Sequence, residues 1–141
     1  MIAYLDSSVV LRVILGQRDK LKEWKSIERG VASALVQVEC LRTLDRLRLR
    51  AGLSDEDLAD RRQTVFRIID ETEVVEASMV VLDRAARPFP TELGTWDAIH
   101  LATALIWRES RGADIVLATH DRGLGTAARA SGLEVVGLKT S

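Results

Sequence analysis

The chain is short of cysteine, aromatic residues and net charge, and it lacks long hydrophobic runs. Its single cysteine, Cys40, excludes an intrachain disulfide and a thiolate metal cluster. Set between Glu39 and Leu41, Cys40 reads as a small buried apolar residue rather than a catalytic thiol. Aromatics make up 4% of the residues, too few for an extended base-stacking platform. A net charge of −1 supplies no global field to draw in nucleic acid, so any such binding must use local patches or a second subunit. No run approaches the length of a membrane span, and the opening "MIAYLDSSVV" has no basic leader. A cytoplasmic location with no membrane partner is therefore expected.

What remains is a globular composition, 47% hydrophobic and 29% charged over 141 residues, which predicts one domain spanning residues 1–141. "IAYLD" is an apolar run of strand length ending in an acid, and "SSVVLRVILG" reads as a helix stopped by Gly16. A short strand through Val31 to Ser33 precedes a long helix ending near Gly52. Along that helix Leu41, Leu44 and Leu47 share a face, while the stripe Arg42, Arg46, Arg50 is either solvated or a dimer contact. Ser54 and Asp57 form a capping pair for "DEDLADRRQTVFRIID". "EVVEA" reads as a strand and "MVVLDRAARPF" as a helix halted by Pro88 and Pro90, with "PFPTELG" the one obvious irregular loop. A helix from Thr95, its candidate cap, runs to about Gly112. Then come the strand "ADIVLATHD", the short helix "DRGLGTAARASG" and the final strand "LEVVGL". This alternation predicts an α/β fold built on a parallel sheet.

Ligands bind beyond the carboxyl ends of such sheets. Asp6 and Asp121 follow predicted strands, and Glu39 and Asp97 lie near the starts of helices, so all four can point to one edge. Each has an ordinary explanation taken alone: Asp6 and Asp121 as helix caps, Glu39 as a solvated helix acid, Asp97 as a first-turn acid favoured by the helix dipole. Together they repel, and shifted pKa values or a bound cation must relieve that repulsion. All-oxygen donors suit Mg²⁺ or Mn²⁺, and such an ion suits phosphodiester hydrolysis by an activated water. Zinc is disfavoured, since only His100, His120 and Cys40 offer softer ligands. An RNA strand would need cations near these acids, and Arg12, Arg84, Arg87 and Arg122 lie close to them in sequence.

"YLDSSVV", "SALVQVECLR", "TWDAIHLATAL" and "LATHDRGL", in that order and spacing, resemble a PIN domain, and more narrowly a VapC-type toxin ribonuclease of a type II toxin–antitoxin system. The resemblance covers nearly the whole chain. It implies a three-layer α/β/α sandwich with a mainly parallel sheet, an Mg²⁺- or Mn²⁺-dependent endoribonuclease, and a homodimer whose two sites line one groove. It also implies a small VapB-like antitoxin that covers the site. Asp6, Glu39, Asp97 and Asp121 match the family's catalytic, metal-binding acids, Asp121 being the one through which some members bind metal weakly. Ser7 matches the small hydroxyl residue after the first acid, Thr119 fits a similar supporting role, and His100 fits a packing or a catalytic one. A PIN nuclease of RNA processing and a non-catalytic PIN-like binding domain are the alternatives. A phosphoacceptor receiver domain fits less well: "YLDSS" holds one acid where receivers pair two, and Lys139 falls after the last strand.

Overall fold

The N-terminal apolar run forms β1 (Ile2–Leu5) and turns directly into α1 (Ser7–Ile14). The computed structural model describes residues 1–139, so the last two residues of the expected 1–141 domain lie outside the described residues. β2 (Arg29–Ser33) leads into α2 (Leu35–Ala51), which ends where Gly52 takes a left-handed conformation. Ser54 opens α3 (Asp55–Asp70), its hydroxyl accepting from the Asp57 amide at 3.1 Å. β3 (Glu73–Val75), α4 (Met79–Ala85), α5 (Thr95–Arg111), β4 (Val116–Ala118), α6 (Arg122–Ala130) and β5 (Glu134–Val136) complete the chain.

Three local expectations need correction. Gly94, not Thr95, holds the cap position of α5, and no side chain bonds a helix amide there. α4 stops at Ala85, three residues short of Pro88; the proline constrains only Arg87 directly, and the last turn ends at the cap Ala86. Residues 15–28 form a second irregular segment, relieved only by a 3₁₀ turn at Trp24–Ser26.

All strand pairs are parallel, in the order β3-β2-β1-β4-β5. Side chains alternate across the sheet. Ala3, Leu5, Ala32 and Ala118 face one core with Val9, Val36, Leu44 and Val65 from α1, α2 and α3. Tyr4, Val31 and Leu117 face the other, with Leu101, Leu105, Leu124 and Ala127 from α5 and α6. Burying helices on both faces gives the α/β/α sandwich. Chain order reverses between β1 and β4, which makes the carboxyl ends of these two strands the natural ligand crevice. No helix among the described residues is long and apolar enough to cross a membrane.

Gly137 packs its backbone against Thr119, next to the end of β4. Its φ is 103°, and a Cβ there would sit 2.5 Å from the Thr119 carbonyl oxygen. Gly137→Ala should therefore cost about 2 kcal/mol or more, read as a lower urea midpoint. An unchanged midpoint would show that this close approach is absent in solution.

Candidate active site

Asp6 follows β1 and Thr119 follows β4, and the Asp6 amide donates to the Ala118 carbonyl at 3.1 Å. Asp6 stands at the cap position of α1, yet its side chain bonds no helix amide. It is 4% exposed, and Oδ2 accepts from the Ser8 and Thr119 hydroxyls, each at 2.7 Å. These hydroxyls are themselves held: Ser8 Oγ accepts from the His120 amide and Thr119 Oγ1 from the Asp121 amide, both at 3.0 Å. The β4–α6 turn thus directs two backbone N–H groups, through two hydroxyls, onto one carboxylate. Asp6 Oδ1 has no hydrogen bond among the described residues.

Glu39 lies in the second turn of α2. Its Oε2 accepts from the Ser7 hydroxyl at 3.3 Å, and its Oε1 accepts from His100 Nε2 at 2.6 Å. His100 is fully buried, and its Nδ1 meets the Tyr4 hydroxyl at 2.6 Å. Burial opposes a charged imidazole, but the bond to Glu39 and the charges of Asp6, Glu39 and Asp97 outweigh it and raise the pKa. Nε2–H faces Glu39 in either protonation state. Tyr4 donates to Nδ1 of the neutral ring and accepts from the charged one. The Tyr4 phenol itself is pushed well above its ordinary value, by burial first and then by the Asp6 charge.

Asp97 sits in the first turn of α5, half-exposed, with no hydrogen bond from the described residues. Its pKa is raised to about 6, first by partial burial and then by the charges of Asp121, Asp6 and Glu39, against a lowering effect of His100. Asp121 caps α6, its Oδ1 accepting from the Leu124 amide at 2.8 Å. The four acids therefore share one electrostatic environment. Among the described residues no three His, Cys, Asp or Glu side chains are spaced to hold a metal ion directly. The donors are nonetheless hard oxygens, with Asp6 Oδ1, which faces His100 Nε2 at 3.9 Å, and Asp97 free of hydrogen bonds among the described residues, a set that fits Mg²⁺ or Mn²⁺, which keep several waters of their own. Cys40 is inert, burial pushing its thiol up to about 12.

The structure separates the arginines singled out above. Arg12 pairs with Asp19 at 3.0 Å, and Arg122 is the exposed first residue of α6, beside Asp121. Arg84 makes two 2.9 Å bonds to Glu109, about 18 Å along α5 from Asp97, so it is not brought to the acids. Arg87 is exposed in the turn after α4. Sequence reasoning missed Ser8 and Tyr4. The doubled serine after Asp6 was the available signal for the first. For Tyr4 it was a phenol in a buried strand, whose hydroxyl must find a partner.

The PIN domain model matches residues 3–130. Ribonuclease VapC46 of Mycobacterium tuberculosis is 32% identical over 137 residues, an alignment covering 94% of this chain and 95% of that protein. A toxin-antitoxin complex from Klebsiella pneumoniae superposes with a TM-score of 0.68 at 17% identity, covering 95% of both chains. FitAcB from Neisseria gonorrhoeae gives a TM-score of 0.69 at 17% identity, covering 96% of both. The chain belongs to the PIN-domain family, in its VapC-type branch.

Two outcomes follow from the geometry. The folded pKa of Asp97 lies above its ordinary 3.8, so its stability contribution is complete below 3.8 and is lost as pH rises through about 6. Without divalent ions at about pH 7, Asp97→Asn should thus be more stable than the parent by about 1 kcal/mol, after discounting for solvent screening. Urea titrations should show that gap closing below about pH 4; a parent more stable at neutral pH would refute the crowding of charge. Tyr4→Phe strips His100 Nδ1 of its partner, and should cost about 1–3 kcal/mol in the same assay.

Proposed function

We propose that the chain is a divalent-metal-dependent endoribonuclease and the toxin of a type II toxin–antitoxin pair. The observation that carries this reading is the convergence of Asp6, Glu39, Asp97 and Asp121 on the switch point of a VapC-type PIN fold. Asp6, Asp97 and Asp121, with Glu39, would hold Mg²⁺ or Mn²⁺. When bound, the ion polarises the phosphoryl group, lowers the pKa of an attacking water and stabilises the leaving oxygen. Cleavage of the P–O3′ bond then leaves a 5′-phosphate and a 3′-hydroxyl.

The chain's own side chains supply orientation. Ser8 and Thr119 fix the Asp6 carboxylate, so Oδ1 is the oxygen left for the ion. His100 and Ser7 pin Glu39 from both oxygens, which keeps it near Asp6 without requiring it to be a direct ligand. Such fixed dipoles and charges avoid reorganisation during reaction.

A groove of about 340 Å³ adjoins Glu39, lined by Leu11, Leu35, Val38 and Trp96. Val38 is 57% and Trp96 61% exposed, apolar surface suited to a protein partner that also covers the acids. We assign this groove to a VapB-like antitoxin. A homodimer is part of the same proposal, and exposed Met79 and Val80 on α4 are surface that such a contact would cover.

The purified protein should cut cellular RNA at discrete positions with Mg²⁺ or Mn²⁺, and chelator should stop it. Asp97→Asn should lower the rate by on the order of 10³-fold, about 4 kcal/mol of transition-state stabilisation, while keeping its fold by circular dichroism. Cutting that survives either chelation or that substitution would defeat the proposed chemistry.

A further inference from the structure

We propose that a cationic cleft beside the acidic edge binds the phosphate backbone of single-stranded RNA; this deepens the nuclease reading and rests on it. The irregular segment between α1 and β2 contributes Arg18, Lys20 and Lys22 to the cleft. α1 adds Arg12, the tail after β5 adds Lys139, and the β4–α6 turn adds His120. The cleft measures about 550 Å³, and only Asp19 and Glu23 bring negative charge to its lining. In a chain of net charge −1, that is a local concentration of cations.

The cleft is built rather than incidental. Arg12 donates to both the Asp19 carboxylate and the Asp19 carbonyl, at 3.0 and 3.2 Å, and so ties the segment back onto α1. Arg18, Lys20, Lys22 and Lys139 have no ion-pair partner among the described residues. Grouped cations that outnumber the acids beside them, here Asp19 and Glu23, favour an anionic occupant. His120 Nδ1 donates to the Gly137 carbonyl at 2.7 Å, which leaves Nε2 buried with no hydrogen-bond partner among the described residues. With Nδ1 donating, Nε2 is an acceptor, and a buried acceptor in that state calls for a donor such as a water or a ribose 2′-hydroxyl.

Position selects the occupant. The His120 amide donates to Ser8 Oγ, and Ser8 donates to Asp6 Oδ2, so cleft and acids share the β4–α6 turn. A polyanion that must bring one phosphodiester up to four carboxylates gains from cations that hold the neighbouring phosphates. An acidic protein segment would also match the charge, but it offers the acids no bond to cut.

The test compares two variants of equal charge change. Arg18→Glu/Lys20→Glu/Lys22→Glu alters the cleft, and Arg62→Glu/Arg67→Glu/Arg129→Glu alters exposed positions on α3 and α6. A labelled single-stranded RNA is titrated in the Asp97→Asn background across a salt series, and KM is measured in the cutting-competent background. The cleft variant should bind at least about tenfold more weakly, with a salt slope shallower by about two to three. Its KM should rise by a similar factor, while the control stays within about twofold. A neutral Lys20→Gln/Lys22→Gln variant should show the same direction if charge reversal disturbs the fold. Cutting by the parent with unchanged KM in the cleft variants, or equal weakening by both triples, overturns the cleft and leaves the nuclease standing. Absence of both binding and cutting by the unaltered protein would overturn the nuclease reading itself.

Discussion

Bringing Asp6, Glu39, Asp97 and Asp121 to one edge of a parallel sheet sets four carboxylates against each other, and much of the surrounding structure answers that repulsion. Asp6 is held by two hydroxyls, Glu39 by an imidazole and a hydroxyl, and Asp121 by an amide at the start of α6. Asp97 alone lacks such a donor among the described residues, and partial burial first, then the neighbouring charges, raise its pKa to about 6. Magnitudes show that the helix dipole does not account for its placement. A first-turn acid gains about 0.3–1 kcal/mol from the dipole. The rise from 3.8 to about 6, discounted for solvent screening, opposes ionisation by about 1 kcal/mol, which offsets that gain and leaves no net stability to keep an acid at this position.

The same constraint explains a histidine in the middle of an apolar helix. His100 is flanked in the chain by Ala98, Ile99, Leu101 and Ala102, all buried like itself. A neutral apolar residue there would leave Glu39 with only the Ser7 hydroxyl and the Tyr4 hydroxyl unsatisfied at its position. Each of the three polar groups supplies what another needs, a satisfied network whose stability depends on every member. It links the core between sheet and α5 to the acidic edge, so packing of that helix and orientation of Glu39 are one problem.

Periodicity and strand-ending acids made the architecture legible. The alternation of Ala3, Tyr4 and Leu5 across the sheet, and the apolar face of α5, are statements about which side is buried, and sequence encodes these directly. Hydrogen-bond partners distant in the chain are not encoded that way. Ser8 and Thr119 stand 111 residues apart and meet on one carboxylate, while Tyr4 and His100 stand 96 apart. Arg84 lay near the acids by sequence but is drawn to Glu109 by the packing of α4 on α5. In the 15–28 segment Leu21, Trp24 and Ile27, spaced three apart, pack on the core, but no such spacing says which cations between them will cluster, so the cleft could not be read in advance.

Net charge is the least informative number in this chain. A value of −1 sums an acidic edge and a cationic cleft that share the β4–α6 turn, and at physiological salt fields act over about 8 Å rather than over the whole molecule. A phosphodiester arriving at the turn meets these local fields, not their sum. Grouped carboxylates repel a phosphodiester, and cations placed among them would pair with them. Separating the two signs by one turn, with Thr119 and Ser8 between, allows both to act on one strand. The hydroxyls are well chosen for that boundary, because they can accept from the backbone and donate to Asp6 without adding charge of either sign.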